Sequence, residues 1–333
     1  MIALELFFFL VVILIAAEIF VNALEHLGEK LGISEGVTGS VFAAVGTAMP
    51  ETIVPLLAIF AGTANQKLNE EIGVGAILGA PLMLSTLSLC LMAVSVWPKR
   101  GAQGHLAPER TGLKRDMDFF LVSFAVAALA LFVPNENPAM RSMLAVVMVL
   151  TYFFYVMLTL KASEALVKDG HGTEAEDPMF LSRIGLPTNM LTIVVQLAVG
   201  LAMLVLGAKG FIHGIEQAAP LLGISALVLS LMIVPVATEL PEKVNSILWI
   251  RRHKDTLAFG NITGAMVFQG TLLPAIGVLL TPWAPVKEVF AGVVITLVAA
   301  AWLRFMLLRG QLRVWHLAVN GALYATYLAI ALS

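Results

Sequence analysis

Charge is what this sequence has least of. Asp, Glu, Lys and Arg together make up 13% of its 333 residues, about half the share that a water-facing surface ordinarily carries. That shortfall excludes an ordinary soluble globule. A single cysteine, Cys90, excludes an internal disulfide and any thiolate metal cluster. Neither sign of charge dominates, since 20 Lys+Arg stand against 22 Asp+Glu for a net charge of −2, so no basic field exists to attract nucleic acid. What is abundant is apolar: the hydrophobic set reaches 59% and the mean hydropathy is +0.92. Much of the surface is expected to face lipid.

A bilayer-spanning helix needs about 20 mostly apolar residues. Cutting the chain at charged or Pro/Gly-rich breaks gives ten such stretches, near 3–25, 36–61, 70–97, 118–134, 139–161, 188–213, 222–250, 256–281, 286–306 and 313–332. The opening run carries Glu5 and Glu18, lacks a basic start and shows no cleavage site, so it reads as a first helix rather than a signal peptide. The expected fold class is an all-α polytopic membrane protein. Lys and Arg concentrate in cytoplasmic connections. With the amino terminus outside, inner connections hold fifteen basic residues and outer ones four, Lys67, Arg141, Lys209 and Lys287, while Lys243 falls inside a span. Both termini are therefore expected to be extracytoplasmic, in a prokaryotic plasma membrane.

With five spans per half, the second half enters the membrane from the opposite side to the first. Residues 31–51 align with 222–242 without a gap at an offset of 191, with nine of 21 positions identical, among them Thr47/Thr238, Pro50/Pro241 and Glu51/Glu242. GAILGAPLML (75–84) aligns with GNITGAMVFQ (260–269) at an offset of 185. Shared Leu or Val would follow from composition alone; a shared Pro-Glu in the middle of two spans does not. The expected organisation is two inverted repeats, 1–161 and 188–333, joined by a cytoplasmic linker at 162–187, an arrangement associated with secondary transporters.

Glu51 and Glu242 each fall near the centre of a span, where a charged side chain costs about 2.5–3.5 kcal/mol on insertion scales, so such residues usually face the bundle interior and serve a function. Each follows a proline, which donates no backbone hydrogen bond and so releases a carbonyl one turn earlier, at Gly46 or Ala237. Carbonyls beside carboxylates and the Thr47 and Thr238 hydroxyls offer an all-oxygen cage suited to hard cations such as Na⁺ and Ca²⁺. Gly75, Gly79, Gly260 and Gly264 remove bulk where spans three and eight cross that cage, or simply allow close helix approach. Asn261 and Thr263 offer further oxygens, and Gln269, central in its span, is the stronger candidate. Glu239 and Lys243 lie one turn apart. They can form an internal salt bridge, or Lys243 can modulate transport, as a tethered cation or by releasing its proton.

In GTAMPE (46–51), ATELPE (237–242), GAILGAPLML and GNITGAMVFQ the chain resembles the sodium/calcium exchanger family of the cation/calcium antiporter superfamily, in a prokaryotic form with altered ligand positions. The resemblance spans the whole chain. It implies that both glutamates bind Ca²⁺ and that threonine, serine and carbonyl oxygens complete the calcium and sodium sites, which carries over to Thr47, Glu51, Thr238 and Glu242. Where the family pattern has serine this chain has Ala48, Glu239, Ala80 and Ala265, and where it has an amide or acid further along it has Leu84 and Gln269. Three hydroxyls and one polar ligand are thus missing, and a carboxylate stands in place of a fourth hydroxyl.

The metal-binding set expected from residues and resemblance together is Gly46, Thr47, Glu51, Ala237, Thr238, Glu239, Glu242 and Gln269. The leading function is antiport of Ca²⁺ or a related cation against Na⁺ by alternating access, not enzymatic catalysis. No nucleotide-binding loop appears, so an ion gradient drives it, and no cofactor is expected; the partners are membrane lipid and mono- and divalent cations. Proton coupling is the alternative within transport. A cation channel and an intramembrane hydrolase using buried acids are the readings from other classes. Of the weaker signals, Glu18, Asn22 and Glu25 share a face of the first span opposite Lys209, His213 and Glu216, and the acidic 168–178 stretch reads as a solvated linker.

Overall fold

The computed structural model describes residues 2–30, 49–167, 177–310 and 312–333. Among these it is helical throughout, without a named strand. The helices are α1 (Ile2–Lys30), α2 (Met49–Ala61), α3 (Gln66–Arg100), α4 (Arg110–Ala130), α5 (Pro138–Val167), α6 (Met190–Leu222), α7 (Ala226–Thr238), α8 (Leu240–Arg251), α9 (Asp255–Gln269), α10 (Leu272–Leu280), α11 (Lys287–Leu308) and α12 (Val314–Ala331). Seven helical stretches are long and apolar enough to cross a membrane: Ile2–Leu27, Gln66–Arg100, Pro138–Thr159, Met190–Leu222, Asp255–Leu280, Lys287–Leu308 and Val314–Ala331. α2 and α7 are apolar but shorter.

Helix ends follow local chemistry. Asn65 caps α3, Ser225 caps α7, and Asn189 with Thr192 forms a reciprocal capping box on α6, each satisfying amides that the first turn leaves free. Gly223 ends α6 in the left-handed conformation at φ 67°, which glycine adopts without steric cost. Glu109 caps α4 by accepting the Thr111 and Gly112 amides at 2.7 and 2.6 Å, and these bonds hold its carboxyl below the usual carboxylate range.

Two of the expected spans are broken rather than continuous. The 222–250 stretch divides at Glu239 into α7 and α8, and the 256–281 stretch divides after Gln269 into α9 and α10. The second break has a counterpart in the first half: α3 passes into a π-turn at Leu84 and α9 ends at Gln269, an offset of 185. Pro241 therefore lies at the start of a helix, where its missing N–H is tolerated, and not in the middle of a continuous one as its position in the 222–250 span suggests.

The apolar residues pack into two clusters. One joins α1, α2, α6 and α7 with one face of α3, through residues such as Ile13, Phe20, Val54, Phe211 and Leu229. The other fills the space among α3, α4, α5, α9, α10, α11 and α12, around Phe120, Phe124, Met92, Phe259 and Tyr327. α1 lies along α6, and this pair meets the rest chiefly through α2 and α7. α3 and α7 cross closely at glycine: a Cβ on Gly75 would lie 2.7 Å from the Leu227 carbonyl oxygen, and one on Gly79 2.5 Å from that of Leu231. Gly260 and Gly264 have no comparably close neighbour among the described residues.

Connections that the basic-residue pattern puts on one side do meet. Arg100 bridges to Asp255 at 2.9 Å, Arg110 donates to the Gly310 carbonyl at 2.9 Å, and His105 pairs with Arg313. At the other end Arg141 is buried and donates to carbonyls at Val278 in α10 and at Thr281 and Pro282 just beyond it. α5 extends to Val167, past the expected start of the linker at 162. The linker's far end is fixed in place: Asn22 and His26 contact the Asp177 carbonyl, and Gln196 joins Asn22 to the Leu181 amide. Asn22 thus serves as a buried tie, while Glu18 faces outward. His213 pairs with Glu216 at 3.2 Å. His171, Glu174 and Glu176 lie outside the described residues.

Candidate metal centre

The interrupted segments bring three carboxylates together. Glu51 lies in the first turn of α2 and Glu242 in the first turn of α8, where the positive end of the helix dipole favours a negative side chain. Glu239 occupies the one-residue gap between α7 and α8. One oxygen from each of Glu51, Glu239 and Glu242 falls within 4.8 Å of the others, and all three residues are buried, Glu239 at 0% exposure. Like charges this close and away from water repel strongly, because low dielectric leaves their Coulomb energy unscreened. A cation or protons must accompany them.

The oxygens around this point are largely uncommitted. Both carboxylate oxygens of Glu51, Oε2 of Glu239, Oε2 of Glu242 and the amide oxygen of Gln269 are buried without a hydrogen-bond partner among the described residues. Buried polar atoms are normally paired, so such a concentration makes these atoms a candidate ligand set. Gln269, at the end of α9, donates its amide N–H to Glu239 Oε1 at 2.5 Å, which fixes Glu239 and aims Oε1 of Gln269 as a free acceptor. Asn261 on α9 donates to the Glu242 backbone carbonyl and to Ser246, both at 3.0 Å, locking α9 against α8. The sequence offered Asn261 as an oxygen donor to the cage; the structure gives it this bracing role.

Other expected members are placed differently. Thr238 is buried at the end of α7, with its hydroxyl donating to the Val234 carbonyl at 3.2 Å. Ala237 forms part of the same last turn. Gly46 and Thr47 lie outside the described residues. Thr263 turns away from the carboxylates: its hydroxyl donates to Asp116 at 2.7 Å, and Asp116 also accepts from Tyr155 at 3.0 Å. Among the described residues Lys243 forms no ion pair with Glu239. Its Nζ donates to the Pro235 carbonyl at 2.8 Å and to Met83 Sδ at 2.9 Å. Met83 carries no sequence signal for this role, because a thioether in an apolar helix reads as packing.

The family model described as sodium/calcium exchanger protein matches residues 2–161 and 192–333. The chain belongs to this family. Within the exchanger family it is 24% identical over 289 residues to the putative antiporter CaxA of Alkalimonas amylolytica, covering 82% of this chain and 79% of that one. In fold this exchanger-family chain is similar to the H⁺/Ca²⁺ exchanger CAX, with a TM-score of 0.72 and 18% identity over 100% of this chain and 82% of that chain. It is also similar to the sodium-calcium exchanger NCX_Mj, with a TM-score of 0.60 and 20% identity over 99% of both chains. Family and apolar helices together make it an integral membrane protein of a transporter family. The Pro-Glu blocks that carried the resemblance are thus embedded in the matching fold.

Proposed function

We propose that the chain is a secondary antiporter that exchanges Ca²⁺ or a related divalent cation for Na⁺, with both ions competing for the Glu51, Glu239 and Glu242 carboxylates. The supporting observation is the approach of three buried carboxylate oxygens to within 4.8 Å. Glu51, Glu239, Glu242 and the Gln269 amide oxygen supply side-chain ligands. Thr47 and Thr238 hydroxyls and the Gly46 and Ala237 carbonyls complete an oxygen shell of the kind hard cations take. Ten membrane crossings in two inverted repeats, 1–161 and 188–333, bring the two Pro-Glu blocks to the same depth from opposite sides. Both termini lie outside and the linker is cytoplasmic. The α1–α6 pair, with its own apolar cluster, slides against the remaining helices to open the cage to one side at a time.

Proton coupling is the second reading, favoured by one feature of the ligand set. Ala48, Ala80 and Ala265 lack hydroxyls and Thr263 is committed to Asp116, so the cage is built mainly of carboxylates, which can carry protons where hydroxyls cannot. Purified protein in proteoliposomes separates the two: Ca²⁺ uptake driven by an outward Na⁺ gradient supports sodium exchange, and uptake driven only by a pH gradient supports proton exchange. Flux that neither saturates nor needs a counter-ion gradient would point to a channel and remove both.

Gln269 holds Glu239 and contributes an oxygen itself. Replacing it with leucine is expected to weaken Ca²⁺ binding by about 10–100-fold, the range seen when a residue orienting a metal ligand is lost. Isothermal titration of the purified variant measures this; unchanged affinity would place Gln269 outside the shell.

A further inference from the structure

Lys243 is 6% exposed and sits next to the cage in sequence. A lysine buried in hydrocarbon is costly unless something specific holds its charge. Glu239, one turn earlier on the same face, is the local partner that spacing offers, yet Glu239 Oε1 is taken by Gln269. The ammonium is seated instead on a backbone carbonyl of α7, at Pro235, and on the thioether of Met83 in α3. Met83 immediately precedes Leu84, the first-repeat counterpart of Gln269. The ammonium is thus anchored one residue from the position where the first repeat lacks the polar ligand that the second repeat has. Its backbone amide donates to the Glu239 carbonyl at 3.1 Å, and Glu242 immediately precedes it, so two of the three carboxylates share its helical turn.

A positive group fixed by neutral lone pairs, beside carboxylates it does not directly bridge, has the surroundings of a bound monovalent ion. Resting on the reading of the cage as a cation site, we propose that the Lys243 ammonium is a built-in monovalent cation, filling a subsite that would otherwise take an ion from solution. With its three carboxylates charged, the cage then carries two net negative charges, matched by one divalent or two monovalent cations. The lysine sets the charge of the cargo.

The test counts ions. Equilibrium dialysis of detergent-purified protein with radiolabelled Na⁺, and separately with NH₄⁺ as a free analogue of the side chain, is performed at saturating Ca²⁺ for wild type, Lys243→Met and Lys243→Arg. The expected result is one additional monovalent ion per chain in Lys243→Met and none in Lys243→Arg. A monodisperse Lys243→Met protein with the wild-type count overturns the proposal. Should that variant fail to fold, the wild type decides: displacement of Ca²⁺ by Na⁺ with a Hill slope of at most about two fits the residual charge of the cage, and a slope clearly above two overturns it. A wild type that binds neither Ca²⁺ nor Na⁺ would instead remove the cage reading itself. Ca²⁺ binding with an unchanged monovalent count in Lys243→Met removes only the role of the lysine.

Discussion

Glutamine at Glu51 or at Glu242 is expected to lower Ca²⁺ flux in proteoliposomes by about a hundredfold or more, a loss of ~2.7 kcal/mol in binding the ion. The substitution keeps the side-chain volume and one oxygen, so α2 and α8 should start and pack as before. It removes a full negative charge from a site where low dielectric leaves charge unscreened, and it puts an N–H donor where a cation needs a lone pair. Both Glu51 oxygens and Glu242 Oε2 lack hydrogen-bond partners among the described residues, so the protein offers no other reason for these carboxylates. The two single variants should be similarly impaired, because each carboxylate comes from the first turn of an equivalent helix. Uptake of radiolabelled Ca²⁺ by monodisperse protein is the measurement. More than a tenth of wild-type flux in both variants would dissolve the carboxylate cage.

Alanine at Gly79 is expected to destabilise the protein by about 1–3 kcal/mol, the usual cost of forcing an extra carbon into a packed interior. Its Cβ would lie 2.5 Å from the Leu231 carbonyl oxygen and 2.6 Å from Pro235 Cγ. The first of these is backbone and cannot rotate away, so α3 and α7 must separate. Pro235 is also the residue whose carbonyl holds Lys243, and separation would disturb the cage as well as the packing. Gly292→Ala is the control: its Cβ would meet Tyr327 at 3.4 Å, ordinary contact, and its melting temperature should stay near wild type. Thermal melts followed by size-exclusion fluorescence distinguish the two; equal melting temperatures would show that α3 and α7 are not held in tight contact at Gly79.

Part of this candidate site was legible in the sequence because two of its three carboxylates, Glu51 and Glu242, recur at one repeat offset. Glu51 and Glu242 stand out as acids inside apolar runs, and the offset of 185 matches the irregularities at Leu84 and Gln269. Gln269 was found by its central position in its span. The breaks themselves were not legible: Glu239 and Gly270–Thr271 lie in stretches whose composition fits uninterrupted helices. Thr263 illustrates another limit. Its spacing allows it to face the cage, but Asp116 and Tyr155 on α4 and α5 supply a closer partner, and no pattern within α9 reveals them.

By itself the sequence determined the membrane class, most of the helical segments and which acids fall inside apolar runs, since each depends on composition or on spacing along one helix. Only the tertiary structure decided how the long polar side chains are shared out. Glu239 and Lys243 have the spacing for a salt bridge, yet Glu239 goes to Gln269 on α9 and Lys243 to Met83 on α3. A flexible side chain on one helix settles on whichever partner its neighbours present, and those neighbours are brought there by packing between helices far apart in the chain.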